Sequence, residues 1–368
     1  ARVKEKALRE YPADALRREG QLLQLMGFAP VGFDYLGEMM KLLEAQLEGF
    51  YEPKNGTMYL AADLRGAEAQ ATLAHELVHA LQDQSWDLRS RSTYRPGRGD
   101  ETMALAALAE GDATSAMMDF ILEEQGRTAL DLPETLVREL MKSGVGMGDV
   151  QSVPHILQTT LVAPYVEGMD FVHGLRRKGG WAMVDRAWAR PPVTTEQVLH
   201  VDKWEANEAA LPVPTPTATA LGAGWKKDDE DTFGELGFAL TFGEWMTADE
   251  AHGAAAGWGG DRAAVYTNGE RIAHVAHLRY DAAKPADALA SGAFSKVGAG
   301  LRHKLGAPSM QDAQTICYER PALGPLLVAR KGRDLALVAG PAAPGPTWTS
   351  AGTCAQAKAW ASEVLAQP

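Results

Sequence analysis

The sequence predicts an α+β protein, in which a mainly helical part with a small β-sheet is followed by a smaller α+β domain. Up to Trp204, apolar residues recur mostly at the helical period. Beyond residue 233, short strand-like runs such as AAVYT, IAHVAHLRY, PLLVAR and LALVAG alternate with helical ones. Between these parts, the stretch LPVPTPTATA and the charge cluster KKDDED indicate a boundary. The predicted domains are therefore 1–204 and 234–368, with 205–233 as a linker or boundary segment.

Composition and charge narrow the range of functions. The chain has 368 residues, of which 46% are hydrophobic and 23% are charged, so it can bury a sizeable core. A net charge of −12 repels nucleic acid, and we expect no nucleic-acid partner. No apolar run has the roughly 18 residues that a transmembrane helix needs. The first residues lack the apolar core of a signal peptide, as would a mature exported protein whose signal had been removed.

The local patterns of the first domain follow in order. Residues 13–47 carry two helical patterns separated by the turn at 27–30. The stretch GFYEPKNGTMYLAADL, residues 49–64, predicts two short strands around a turn that contains Asn55 and Gly56. A helix rich in Ala, Leu, Glu and Gln follows Gly66, and a second alanine-rich helix is predicted at about 101–124.

The first of these helices contains the motif HELVH. Residues four apart lie on one face of a helix, so His75 and His79 can present both imidazoles to one metal ion. Glu76, next to the first histidine, is placed to activate a metal-bound water rather than to bind the ion. The alternative is an ordinary amphipathic helix, in which Leu73, Leu77 and neighbouring apolar residues pack on the core and the polar stripe meets solvent.

A catalytic zinc site usually has three protein ligands, and two histidines leave it incomplete. No third histidine follows at the ten-residue spacing found in related motifs. Glu110 is the predicted third ligand, because it projects from a helix face of small apolar residues where a carboxylate needs a partner. Its alternative role is a solvated or salt-bridged carboxylate near a helix kink. Glu101 and Asp112 compete as ligands, and Asp112 or Asp83 could instead hydrogen-bond a ligand histidine.

HELVH followed by a helix-borne glutamate in AEGDA resembles the gluzincin branch of the zincin metallopeptidases, over about residues 48–118. The segments PYVEGMDFVHGL, GGWAMVDRAW and PPVTTEQVLH extend the likeness to about residue 200. They resemble a group of bacterial zincin-like proteins, many of them exported. The resemblance implies a zincin-like metallopeptidase domain in which a strand before the motif helix, here TMYLAADL, binds extended peptide.

The resemblance also implies an activity, a cofactor and a location. We expect a Zn²⁺-dependent metallopeptidase that hydrolyses peptide or protein substrates, in which Glu76 takes a proton from the attacking water and passes it to the leaving amine. Gluzincins supply a downstream His or Tyr to stabilise the oxyanion, and His200 and Tyr165 are the candidates here. The expected location is outside the cytoplasm, periplasmic, extracellular or lipid-anchored.

Two other functions stay open. A zincin fold that has lost efficient hydrolysis would make the protein a binding or scaffold protein. A deformylase-like hydrolase would need a cysteine as third ligand, but Cys317 and Cys354 lie far downstream of the motif. The sequence permits either one disulfide between these cysteines or two buried free thiols.

Overall fold

The computed structural model describes residues 13–46, 49–93, 95–133, 135–139 and 153–368. The protein is α+β and 53% helical, with an antiparallel sheet in its C-terminal part, as predicted. The helices of the first part are α1 Ala13–Met26, α2 Tyr35–Gln46, α3 Gly66–Trp86, α4 Leu88–Arg91, α5 Gly99–Leu122, α6 His155–Gly179, α7 Trp181–Ala189, α8 Thr195–Leu199 and α9 Val201–Ala206. None of the helices described is both long and apolar enough to cross a membrane.

A two-stranded antiparallel hairpin lies beside α3, and its existence confirms the predicted strand pair. Strand β1 is Gly49–Glu52 and β2 is Thr57–Leu60. Gly56 in the turn has a φ of 62°, a conformation that favours glycine. At Gly49 a Cβ atom would lie 2.8 Å from Thr72 Cγ2 of α3. The lack of a side chain at this position therefore lets β1 lie directly against the motif helix.

The C-terminal part is built on one antiparallel sheet. Its strands are β3 Lys226–Asp231, β4 Trp258–Asn268, β5 Arg271–Tyr280, β6 Met310–Gln311, β7 Thr315–Arg320, β8 Gly324–Lys331, β9 Asp334–Ala343 and β10 Thr349–Ser350. They are ordered β3-β4-β5-β9-β8-β7-β6, and β10 pairs with β9. The helices of this part are α10 Gly234–Gly243, α11 Ala248–Ala255, α12 Ala288–Leu305 and α13 Cys354–Val364.

The two faces of this sheet are covered differently. Strand residues alternate between faces, so each face needs its own cover. Aromatic and aliphatic side chains of α10, α11 and α12 form the larger cluster on one face, with Trp258 and Tyr280 fully buried. On the other face α13 packs through Trp360. A disulfide between Cys317 of β7 and Cys354 of α13 ties that helix to the sheet, so the cysteines are paired rather than free.

The two parts of the chain are more entwined than a linker at 205–233 suggests. The charge cluster KKDDED forms the edge strand β3 inside that segment and pairs with β4. Its two lysines and the four acidic residues after them are tolerated because an edge strand meets solvent on one side. Helix α1, predicted to belong to the N-terminal domain, also contributes Leu25 and Met26 to the cluster on the sheet.

Polar contacts hold α1 on the sheet. Arg18 pairs with Asp228 at 2.6 Å. Arg320 of β7 donates to the carbonyl oxygens of Leu25 at 2.8 Å and Met26 at 3.1 Å, which are free at the end of the helix. Burial lowers the pKa of Arg320 to about 10, so its guanidinium group stays charged at neutral pH.

A buried aspartate joins the first turn of α5 to α8. Asp100 is 3% exposed. Its Oδ1 accepts hydrogen bonds from Thr195 N at 2.8 Å and Thr195 Oγ1 at 2.6 Å. Thr195 Oγ1 in turn accepts from Leu236 N of α10 at 3.1 Å. Burial raises the pKa of Asp100 to about 7, with a further rise from the nearby charge of Asp261, although the bonds from Thr195 act against the shift.

We predict that this junction weakens as the pH rises. The pKa of Asp100 is higher in the folded than in the unfolded protein. The contribution of Asp100 to the free energy of unfolding is therefore complete below about pH 4 and is lost as the pH rises through about 7. Asp100→Asn keeps an acceptor oxygen for Thr195 but carries no charge. Its free energy of unfolding relative to wild type should therefore rise by on the order of 2 to 4 kcal/mol between pH 4 and pH 8.

Urea unfolding at both pH values measures this change, and Asp63→Asn, at an exposed position, is the matched control. An equal effect of Asp100→Asn at pH 4 and pH 8 would contradict the prediction.

Candidate functional site

Helix α3 turns its polar face inward and its leucines outward. Leu73, Leu77 and Leu81 are 38%, 49% and 59% exposed, whereas Glu76 is 7% and Gln82 3% exposed. The alternative of an ordinary amphipathic helix with a solvated polar stripe is therefore wrong. Buried polar groups need partners, and these side chains find theirs on α5 and β1.

Glycines set the distance between α5, which packs on α3, and its neighbour α6. A Cβ atom on Gly111 of α5 would lie 2.1 Å from the carbonyl oxygen of Gly168 of α6, and one on Gly168 would lie 1.9 Å from that of Ala107. The two backbones therefore touch. The small residues around Glu110 serve this contact between α5 and α6, which brings Glu110 and Tyr165 to the same place.

Three ligand atoms meet where α3 faces α5. His75 Nε2 lies 3.1 Å from His79 Nε2. Glu110 Oε2 lies 3.2 Å from His75 Nε2 and 3.5 Å from His79 Nε2. The three residues form one of the two groups, among the described residues, whose arrangement could hold a metal ion. The structure thus brings together the three residues predicted as ligands.

The dimensions of this triangle fit a small metal ion. In a tetrahedral site with metal–ligand bonds of roughly 2.0–2.1 Å, ligand atoms are roughly 3.3–3.4 Å apart. The observed separations of 3.1, 3.2 and 3.5 Å lie on both sides of that range. Glu110 Oε2 is also buried without a hydrogen-bond partner of normal geometry among the described residues. A cation between the three atoms would satisfy it.

The charges around the triangle favour a cation. Burial alone would lower the pKa of His79, but the carboxylates of Glu110 and Glu76 raise it to about 9. Burial opposes ionisation of Glu110, yet the two histidines hold its pKa far below the usual range. The cluster therefore stabilises positive charge at its centre, and a metal ion would compete there with the proton on His79.

Glu76 lies beside the triangle and is held by the hairpin. Its Oε2 accepts a hydrogen bond from Tyr51 N of β1 at 2.6 Å. The hydroxyl of Tyr51 donates to Asp83 Oδ2, one turn beyond His79, at 3.0 Å. One residue of β1 therefore contacts α3 at two places. The strand whose backbone hydrogen-bonds the motif helix is β1, and TMYL of β2 pairs with β1.

Of the two oxyanion candidates, the structure brings only Tyr165 to the cluster. Its ring stacks on that of His75 with a centroid distance of 6.3 Å, and its hydroxyl hydrogen-bonds Glu110. The negative charge of Glu110 and burial raise the pKa of Tyr165 well above its ordinary value. His200, the residue that follows α8, instead pairs through Nε2 with Glu235 Oε1 of α10 at 2.9 Å.

The competing carboxylates have other partners. Glu101 forms ion pairs with Arg95 and Arg98. Asp83 accepts from Tyr51, as above, and from Arg89 N. Asp112 contacts neither histidine directly, because Gln82 lies between Asp112 and His79. Cys317 and Cys354 form a disulfide, so neither is a free thiolate ligand.

Gln82 is the site residue that sequence reasoning missed. Its position three residues after His79 places it on the same helix face, which was the available signal. A second acidic group, Glu196, Glu208 and Asp281, could also hold a metal by its geometry. Lys203 lies among those carboxylates, with Nζ 2.5, 2.8 and 2.6 Å from them, and supplies their counter-charge.

We predict that Gly168→Ala separates α5 from α6 and disrupts the site. The added methyl group would overlap backbone atoms that cannot rotate away, so we expect a loss of about 3 kcal/mol or more in the free energy of unfolding. Urea unfolding measures it. Gly292→Ala in α12 is the control, since its Cβ meets no atom within 4 Å; it should stabilise the protein by about 0.5–1 kcal/mol. Equal stability of the two variants would refute the close contact.

The comparisons with known proteins concern the C-terminal part. Residues 219–346 match a domain of unknown function, DUF8575. The match runs from β3 to β9 and leaves out the three residues of the triangle. It begins within the predicted boundary segment, which agrees with the place of β3 in the sheet. No curated protein and no solved structure matches the chain.

Proposed function

We propose that the protein is a zinc-dependent metallopeptidase that hydrolyses peptide bonds in peptide or protein substrates. The observation that carries the proposal is the triangle of His75 Nε2, His79 Nε2 and Glu110 Oε2, with Glu76 buried beside it. Two imidazoles and one carboxylate at tetrahedral spacing are the ligand set of catalytic zinc in several peptidases. The helix with HELVH, the second helix with Glu110 and the adjoining hairpin support a zincin-like fold of the gluzincin type.

His75, His79 and Glu110 would hold the ion. Bound Zn²⁺ would supply a Lewis acid that polarises the scissile carbonyl and acidifies water. Glu76 is the general base: its carboxylate takes the proton of the attacking water and gives it to the leaving amine. The hydrogen bond from Tyr51 N fixes this carboxylate against β1.

Tyr165 is the proposed donor to the developing oxyanion. Its hydroxyl lies at the cluster and stays protonated at neutral pH, so it can donate to negative charge that forms during the reaction. His200 is bound to Glu235 and has no such placement. The disulfide supports the proposal that the protein acts outside the cytoplasm, because such bonds persist in oxidising compartments.

One contact favours the alternative of a weakly active or inactive zincin-fold binding or scaffold protein. Glu76 already accepts a strong hydrogen bond from Tyr51 N. That carboxylate oxygen is already occupied by a donor, and β1 would have to move for substrate to reach the N–H group. The alternative predicts bound zinc without turnover.

We expect Glu76→Gln to abolish cleavage, because the amide cannot accept the proton of the attacking water. Zinc should stay bound, because Glu76 is not a ligand. The loss in kcat/KM should be at least about 10²–10⁴-fold. A peptide library read by mass spectrometry measures cleavage, and elemental analysis measures zinc. Glu68→Gln, at an exposed position in the first turn of α3, is the matched control.

His79→Ala is the complementary variant and should lose both zinc and cleavage. Wild-type protein that binds zinc but cleaves no library peptide would favour the scaffold alternative. Wild-type protein without affinity for zinc would overturn the proposal.

We expect Tyr165→Phe to lower kcat by about 10²–10³-fold with little change in KM, since the donor acts on the transition state. His200→Phe should leave kcat within about threefold of wild type. Steady-state kinetics on one cleaved peptide distinguishes them. The reverse order of effects would assign the oxyanion role to His200.

A further inference from the structure

The amide of Gln82 has different partners at its two ends. Its Nε2 donates to Ala109 O at 3.0 Å and to Asp112 Oδ2 at 2.9 Å, and its Oε1 lies 2.9 Å from His79 Nδ1. The opposite orientation would place the amide oxygen against two acceptors. Oε1 must therefore accept, and His79 Nδ1 must carry the proton. This tautomer leaves the lone pair of His79 Nε2 pointing into the triangle.

The chain of hydrogen bonds continues into the core. Asp112 Oδ2 also accepts from Trp188 Nε1 of α7 at 2.9 Å. Trp188 is 2% exposed and packs with Val184 and Ala187. Asp112 is thus held by a rigid indole on one side and presents its oxygen to Gln82 on the other. Contacts from three helices determine where His79 points.

We infer that Gln82 is a positioning residue for His79, held by Asp112 and Trp188, and that this chain determines the zinc affinity of the site. The inference rests on the proposed function, because it concerns the same metal. A neutral amide is the group that suits the position. It offers two donors to the acceptors Asp112 and Ala109 O, and one acceptor to the imidazole. A glutamate at position 82 would instead place a second carboxylate next to that of Asp112, and the two negative charges would repel each other.

The test is zinc affinity, measured by competition with a chelator at fixed pH. Gln82→Met has a similar volume but neither donor nor acceptor, and we expect it to weaken zinc binding by about 10–100-fold. Gln84→Met is the matched control, since Gln84 is exposed on the same helix. A loss that is equal in both variants, or absent from Gln82→Met, would overturn the inference.

Variants of Asp112 test the rest of the chain. Asp112→Asn can keep an oxygen toward Gln82 and Trp188, so its zinc affinity should stay within about threefold of wild type. Asp112→Leu removes the acceptor and should resemble Gln82→Met. The double variant Gln82→Met, Asp112→Leu should bind zinc as Gln82→Met alone does, because both act through His79. Additive losses would overturn the inference.

Nitrogen NMR of the histidine rings in the metal-free protein separates positioning from folding. Above the pKa of His79, its Nδ1 should be protonated in wild type, and the two tautomers should mix in Gln82→Met. A merely structural role would lower the Tm without changing the tautomer or the zinc affinity of the folded protein. If wild type and Gln82→Met bind zinc equally well, only this inference is overturned. If wild type binds no zinc, the proposed function is overturned.

Discussion

The contact between the polar face of α3 and Glu110 of α5 is the constraint on which the rest of the N-terminal half depends. Burying two imidazoles and a carboxylate is unfavourable unless each has a partner, and here His75, His79 and Glu110 are one another's partners. The helix accordingly leaves three leucines exposed in order to turn these groups inward. Such an inversion of the usual burial pattern is typical of a functional site rather than of a helix placed for stability alone.

The surrounding elements restrict motion at this contact. Gly111 and Gly168 let α5 and α6 touch, so the carboxylate of Glu110 and the ring of Tyr165 approach the histidines from a fixed direction. Gln82 holds His79 from α3 itself, and Tyr51 holds Glu76 from the hairpin. His79 and Glu76 therefore each have a contact that fixes them from outside the triangle, as electrostatic preorganisation requires.

The C-terminal sheet braces the helical part. Helix α1 packs on the sheet through Leu25 and Met26, and Arg320 of β7 caps its end. Helix α10, which covers the sheet, is linked to α8 and α5 through Thr195 and Asp100. The triangle draws all three of its residues from α3 and α5, although the family match lies in this sheet. The sheet thus belongs to the support of the proposed enzyme, and its edge strand β3 carries enough charge to discourage pairing with other chains.

The sequence alone determined the α+β class, the two helices with HELVH and Glu110, and the hairpin, because helical and strand periods and turn residues are local properties. It also identified three ligand candidates, since a spacing of four and an acidic residue among alanines can be recognised without a fold. Tertiary structure decided which face of α3 is buried, that Tyr165 rather than His200 lies at the cluster, and that Gln82 separates Asp112 from His79. It also decided the disulfide and the place of α1 on the sheet. These features depend on contacts between residues far apart in the chain, which no local pattern records.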